Sequence, residues 1–155
     1  MKKYLIALTA LTLLMSACSF SGPKVAFNLP SIDGTQFDSE TVAKGKPVFL
    51  MFMSTSCGYC KASIPQIITL QNEFGPKGVA ILGVFADPVP GGPAAYQKEM
   101  GINFNVIYNG AELAQECHVN GVPHFVLLNK KHQLVKIWSG YNPQHPFAEE
   151  INKVL

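Results

Sequence analysis

Two cysteines three residues apart, in Cys57-Gly58-Tyr59-Cys60, are the side chains of this sequence whose type and spacing can do chemistry. On the first turn of a helix, positions i and i+3 share a face and bring two sulfurs within bonding reach. The first cysteine then lies where unpaired backbone N–H groups and the positive end of the helix dipole converge. A thiolate is stabilised there, so its pKa falls and it can attack at neutral pH. The second lies one turn deeper and is the natural resolving thiol. The chemistry such a pair performs is thiol–disulfide exchange. Two plainer readings stand beside it. One is an inert structural disulfide, although so short a loop stabilises little through chain entropy. The other is a zinc site, for which Cys117-His118 would have to supply the second ligand pair.

A buried strand running straight into a helix would present the pair. Val48-Phe49-Leu50-Met51-Phe52-Met53 is continuously apolar, as in a central strand covered on both faces. Ser54-Thr55-Ser56 ends it and offers hydroxyl N-caps. A helix is expected over residues 57–74, with Ile64, Ile67, Ile68 and Leu70 inward and a kink at Pro65. Further strands are expected over 25–29, 79–85 and 103–108, and helices over 94–100, 111–118 and 146–155. Residues 125–129 and 133–138 read as an antiparallel hairpin. This alternation implies an α/β domain whose sheet carries helices on both faces. It places the cysteine pair at the carboxyl end of a strand, where such folds keep their sites.

Composition narrows the function classes. The 155 residues are one domain's worth, and 48% hydrophobic against 14% charged excludes a highly charged disordered chain. No apolar run reaches the ~18 residues of a spanning helix. Twelve lysines stand with no arginine, so the usual bidentate reader of phosphate and guanine is missing and nucleic-acid binding is not expected. Residues 1–17 have the layout of an export signal: a basic head, Met1-Lys2-Lys3, an apolar stretch, and small residues at Ser16-Ala17. Leu14-Met15-Ser16-Ala17-Cys18 resembles a bacterial lipobox, in which Cys18 is lipidated and begins the mature chain. Ordinary cleavage near Ala17 is the alternative. A lipidated Cys18 would hold the protein on a membrane surface without a spanning helix. Ser19, in place of the Asp that favours inner-membrane retention of lipoproteins, points to the outer membrane, with the domain on the periplasmic side. Residues 18–24 read as a tether and 25–155 as the domain. Removing Lys2 and Lys3 leaves ten lysines and ten acids, so no charge argument for an acidic partner survives. Export also places the cysteines where disulfides persist.

From residue 27 onward the motifs resemble those of the TlpA/ResA-like redoxins, a group of thioredoxin-fold proteins. Phe27-x-Leu29 with Asp33-Gly34 is similar to the family's opening hairpin, and Gly45-Lys46-Pro47 precedes the strand that leads to the cysteines. Lys61 and Pro65 follow the pair at the family's basic and proline positions. Gly83-Val84-x-x-Asp87, Phe104-x-Val106, Val119-x-Gly121-Val122-Pro123, Phe125-Val126-Leu127-Leu128 and Gly140-Tyr141 continue the match in order. The resemblance implies a thioredoxin-like fold: a central mixed sheet flanked by helices on both faces, an N-terminal hairpin extension and a strand–helix insertion. It implies that Pro123 is cis and faces the disulfide, that Val122 pairs with a substrate segment, and that Tyr59 and His124 lie beside it. His124 is a candidate to stabilise the Cys57 thiolate.

The departures from the family matter as much. Ser56 stands where the family usually has Trp, which removes a flat apolar cover beside the sulfur. Met51 stands where thioredoxin keeps a buried acid, so proton transfer at Cys60 must use water or another group, with Asp87 a candidate. Gly58-Tyr59 is similar to the dipeptide of the DsbC-type isomerases. Cys117 is expected to be a small buried apolar side chain, Trp138 to pack in the hairpin, and His118, His132 and His145 to lie on loops or the surface. The expectation is a lipid-anchored thiol–disulfide oxidoreductase that reduces disulfides of exported proteins. Cys57 would attack, Cys60 would resolve, and a membrane donor of the DsbD or CcdA kind would supply electrons. No cofactor or metal is implied, and a monomer is expected. A disulfide oxidase or isomerase of the same fold is the alternative. A peroxidase fits less well, since Thr55 lies two before Cys57 and the expected Pro is missing. A copper carrier fits less well, since its usual Cys spacing is one residue longer.

Overall fold

The computed structural model describes residues 22–89 and 91–155. The export signal over 1–17 and Cys18 lie outside the described residues. A hairpin of β1 (Asn28–Pro30) and β2 (Gln36–Asp38) precedes the central strand β3 (Val48–Met53). Then follow α1 (Gly58–Phe74), β4 (Ala80–Phe85), α2 (Pro93–Glu99), β5 (Asn105–Ile107), α3 (Ala111–Glu116), β6 (His124–Leu128), β7 (Leu134–Ser139) and α4 (Phe147–Asn152). The main sheet has the order β5-β4-β3-β6-β7, with β3, β4 and β5 parallel and β6 and β7 antiparallel. This is the thioredoxin-like arrangement, and α2, β5 and α3 lie between β4 and β6.

Every residue of β3 is buried, as its unbroken apolar run requires. Side chains alternate between faces. Phe49, Met51 and Met53 pack in one core with Cys60, Ile64, Ile67 and Leu70 of α1, Tyr96 of α2 and Phe147 and Ile151 of α4. Val48, Leu50 and Phe52 pack in the other with Val25, Phe27, Phe37, Leu113 and Cys117. Trp138 belongs to the first core, edge-on to Phe147 at 5.0 Å. α1 continues through Pro65, which lies on its exposed side.

Three expectations are corrected. The strand expected over 25–29 is shorter and begins later. Its alternation is real, with Val25 and Phe27 buried, but the Phe27 N–H donates to the Ser39 hydroxyl at 3.0 Å instead of joining a ladder. Periodicity reports burial, not the hydrogen-bond partner. The described part of the expected tether is docked. The Gly22 N–H donates to the Leu134 carbonyl at 3.0 Å, and the Val25 N–H to the His132 carbonyl at 2.9 Å. His132 is not a surface residue. It is 3% exposed, with Nε2 at 3.0 Å from the Ala43 carbonyl and Nδ1 at 3.3 Å from Glu40. Its left-handed backbone, φ 57°, turns the β6–β7 loop inward.

Candidate active site at the head of the first helix

β3 delivers the chain to Ser54-Thr55-Ser56, and the helix begins one residue after Cys57. The cap differs from the serine cap expected. Cys57 itself is the N-cap, with extended backbone, and its Sγ accepts the Cys60 N–H at 3.0 Å. Ser54 and Ser56 bond each other instead, Oγ to Oγ at 3.1 Å. A sulfur in the capping position meets the unpaired amides directly. On reduction, those donors and the helix dipole favour the thiolate over the thiol.

Cys57 and Cys60 are joined as a disulfide with Cα atoms 5.2 Å apart. Cys57 is partly exposed and Cys60 fully buried, so one sulfur can be reached and the other waits behind it. Across the loop, the Val122–Pro123 bond is cis. The Val122 carbonyl oxygen lies 3.5 Å from the Cys57 sulfur. Pro123 is held from behind, its carbonyl accepting the Gly140 N–H at 2.9 Å. A groove of about 300 Å³ runs beside Val122 and Pro123, with Ser139 and Gly140 as its far wall.

The structure thus brings Cys57, Cys60, Val122 and Pro123 together. Tyr59 joins them at the rim, 70% exposed, its ring stacked on Tyr141 with centroids 6.3 Å apart. Tyr141 was not singled out from the sequence as a site residue. The signal was present, since the antiparallel return of β7 carries Gly140-Tyr141 to the same end of the sheet as the cysteines.

His124 lines the groove beside Val122 and Pro123, as expected of a residue next to the substrate segment, but its ring is not brought to the sulfur. It pairs in register with Phe52, whose side chain packs on the face away from α1, and its ring meets Phe52 edge-on at 6.3 Å. Cys60 and α1 pack on the opposite face. His124 Nδ1 lies 3.3 Å from the Ser139 hydroxyl, and Nε2 has no hydrogen-bond partner. Burial lowers its pKa, with the Cys117 backbone pulling weakly the other way. A buried neutral imidazole on the far face does not stabilise the Cys57 thiolate by charge. Cys117 lies in that same far core, and burial pushes its thiol up to about 12. It therefore cannot complete a zinc set with Cys57 and Cys60 through the sheet. Met51 is buried under α1, and Asp87 lies exposed on the loop after β4.

Comparison with known proteins agrees with this geometry. The redoxin family matches residues 19–155. The thiol-disulfide oxidoreductase ResA of Halalkalibacterium halodurans is 26% identical over 117 residues, covering 75% of this chain and 66% of that protein, just under two thirds of its length. The fold is similar to a thiol:disulfide interchange protein of the thioredoxin family from Chlorobium tepidum TLS, with TM-score 0.76, 21% identity, and 89% and 99% of the two chains covered. It is also similar to the pneumococcal exposed lipoprotein thioredoxin of Streptococcus pneumoniae TIGR4, with TM-score 0.70, 24% identity, and 83% and 99% covered.

Proposed function

The chain belongs to the redoxin family, and from that premise we propose that it is a thiol–disulfide oxidoreductase working as a reductase of exported proteins. The observation that carries the proposal is the capped sulfur. Cys57 Sγ accepts a backbone N–H at 3.0 Å, is open to solvent, and faces the Val122 carbonyl at 3.5 Å. A disulfide kept only for stability needs none of these.

The reaction begins from the reduced protein. The Cys57 thiolate attacks one sulfur of a substrate disulfide, forming a mixed disulfide and releasing the other substrate sulfur as a thiolate, which takes a proton. Cys60 loses its proton and attacks Cys57 Sγ, which frees the second substrate thiol and restores the Cys57–Cys60 bond. Two electrons and two protons pass to the substrate. The Val122 carbonyl is placed to accept a backbone N–H from the substrate segment, and the proline after it adds no competing donor. No acid occupies the Met51 position, so water reaching the sulfurs through the partly exposed Cys57 takes the Cys60 proton.

The reducing direction rests on the motif resemblance to the TlpA/ResA-like redoxins, a group that mostly reduces exported cysteines. In that reading a membrane donor of the DsbD or CcdA kind re-reduces Cys57–Cys60. Cys18 carries lipid, and the domain works as a monomer at the periplasmic side of a membrane, the outer one favoured by Ser19. The deciding measurement is the reduction potential of Cys57–Cys60 by equilibration with glutathione or dithiothreitol. A value at or below about −230 to −270 mV is expected. A value of about −120 to −180 mV would assign an oxidant or isomerase instead.

A further inference from the structure

We propose that the pole of the molecule opposite the disulfide is a seat for anionic phospholipid headgroups in the membrane that holds the protein. The inference rests on the reading of Cys18 as the anchored residue. β3 runs away from this pole toward the cysteines, and its six residues span about 20 Å. At its starting end, Lys44 precedes the strand, the β6–β7 loop contributes Lys130 and Lys131, and the docked N-terminal segment contributes Lys24. These lysines and Glu40 line an open cleft of about 490 Å³.

Four lysines against one acidic side chain is a concentrated surplus in a chain whose lysines and acidic side chains balance from Cys18 onward. Glu40 is already engaged, by Lys24 at 2.9 Å and by His132 at 3.3 Å. Lys130 is engaged by the backbone oxygen of Leu155, the last residue of the sequence. Lys44 and Lys131 are exposed.

The position of the chain's entrance decides which anion this pole meets. The Gly22 N–H is fixed to the carbonyl of Leu134, the residue after Gln133, which lines the cleft. Cys18 lies four residue steps before Gly22, and a fully extended chain of that length spans at most about 14 Å. An anchor at Cys18 therefore lies at most about 14 Å from Gly22, a gap little wider than the ~8–10 Å over which charge acts in physiological salt, and attraction between the lysines and the headgroups closes it by turning this pole to the membrane. Each lysine near an anionic leaflet adds about fivefold to its residence there. The consequence is orientation. The lysines face the bilayer, and Cys57, Tyr59 and Val122 face outward, where a substrate protein arrives from the aqueous side.

The test uses the processed full chain in vesicles of phosphatidylethanolamine with phosphatidylglycerol, and in vesicles of phosphatidylcholine. A water-soluble amine-acylating reagent reports each lysine by mass spectrometry, with Lys61 near the disulfide as the internal reference. Lys44, Lys130 and Lys131 are expected to react about fivefold more slowly, relative to Lys61, on the anionic vesicles. High salt should erase the difference. In the K44Q/K130Q/K131Q variant, Lys24 should react equally on both vesicles, with disulfide-reducing activity unchanged. Equal lysine rates on both vesicles, with the protein still bound, would overturn the seat alone. Protection by inorganic phosphate without vesicles would assign a small-anion site and overturn the lipid seat. A chain that associates with neither vesicle would overturn the Cys18 reading and the seat together, while leaving the redox reading to its own measurement.

Discussion

At the scale of residues, the cysteine pair was legible because its spacing alone determines what the sulfurs can do. The capping role of Cys57 was not. A hydroxyl and a sulfur can both accept the same N–H, and the neighbouring serines bond each other instead. This cap gives a direct expectation for Cys60→Ser. The substitution keeps the backbone N–H at position 60, so Cys57 should titrate below the ordinary value of about 8.5, read as thiolate absorbance or alkylation rate against pH. The same variant should accumulate a mixed disulfide with substrate, because nothing remains to resolve it. An ordinary Cys57 pKa would remove the physical basis of the attack step. His124 illustrates what a one-dimensional neighbour relation misses. It is adjacent to Pro123 in sequence, yet strand alternation turns it to the other face. Its pKa is lowered by burial, so the folded protein binds that proton less readily than the unfolded chain. Its contribution is present above the unfolded value of about 6.5 and is lost as pH falls through that value toward the folded one. Urea midpoints at pH 7 and pH 5 should therefore fall further for the parent than for His124→Gln. Equal falls would mean that His124 does not titrate between the states.

At the scale of elements, β3, α1 and β4 were readable because their patterns are strong: an unbroken apolar run, an inward stripe, a second apolar run. The N-terminal hairpin was suggested by resemblance and not by period, since β1 and β2 have three residues each and short strands leave little periodic signal. The hairpin is tied by its side chains, with Phe27 stacked on Phe37 at 6.0 Å and the Thr35 N–H donating to the Asp33 carboxylate at 2.9 Å. Gly83 in β4 shows how closely the elements meet behind the site. A Cβ there would stand 2.5 Å from Met53 Cε and 3.1 Å from the Phe104 ring. Met53 can swing its end aside, but Phe104 is 2% exposed and has little room. Gly83→Ala should cost about 1–3 kcal/mol, seen as a lower Tm with the Cys57–Cys60 potential little changed. An unchanged Tm would show that the β4 face has slack that the packing does not reveal.

At the scale of the whole molecule, the division of the chain into tether and domain was the reading most in need of the structure. Composition marks 18–24 as a short polar leader, and nothing in a Gly-Pro-Lys run signals that it will lie along another strand. The partner supplies the order: the β6–β7 turn, drawn inward by His132, offers the His132 and Leu134 carbonyls, and the Leu134 N–H returns a bond to the Pro23 carbonyl at 3.0 Å. Val25, 1% exposed, then seals the edge of the second core. Residues 22–25 are therefore bound to the domain, and Cys18 lies only four residue steps before Gly22. A chain beginning at Phe27 loses the Val25 side chain and those three backbone bonds. Burial of a valine is worth about 1.5–3 kcal/mol, so this truncation should lower unfolding stability by about 2 kcal/mol in urea, relative to a chain beginning at Gly22. A chain beginning at Ser19 serves as the second reference. If the Phe27 chain is as stable as the others, residues 22–25 are a tether after all, and the distance between an anchor and the lysine-rich pole is no longer fixed. If it is weakened as expected, the same four residues close the core and set the height at which the domain stands above whatever holds Cys18.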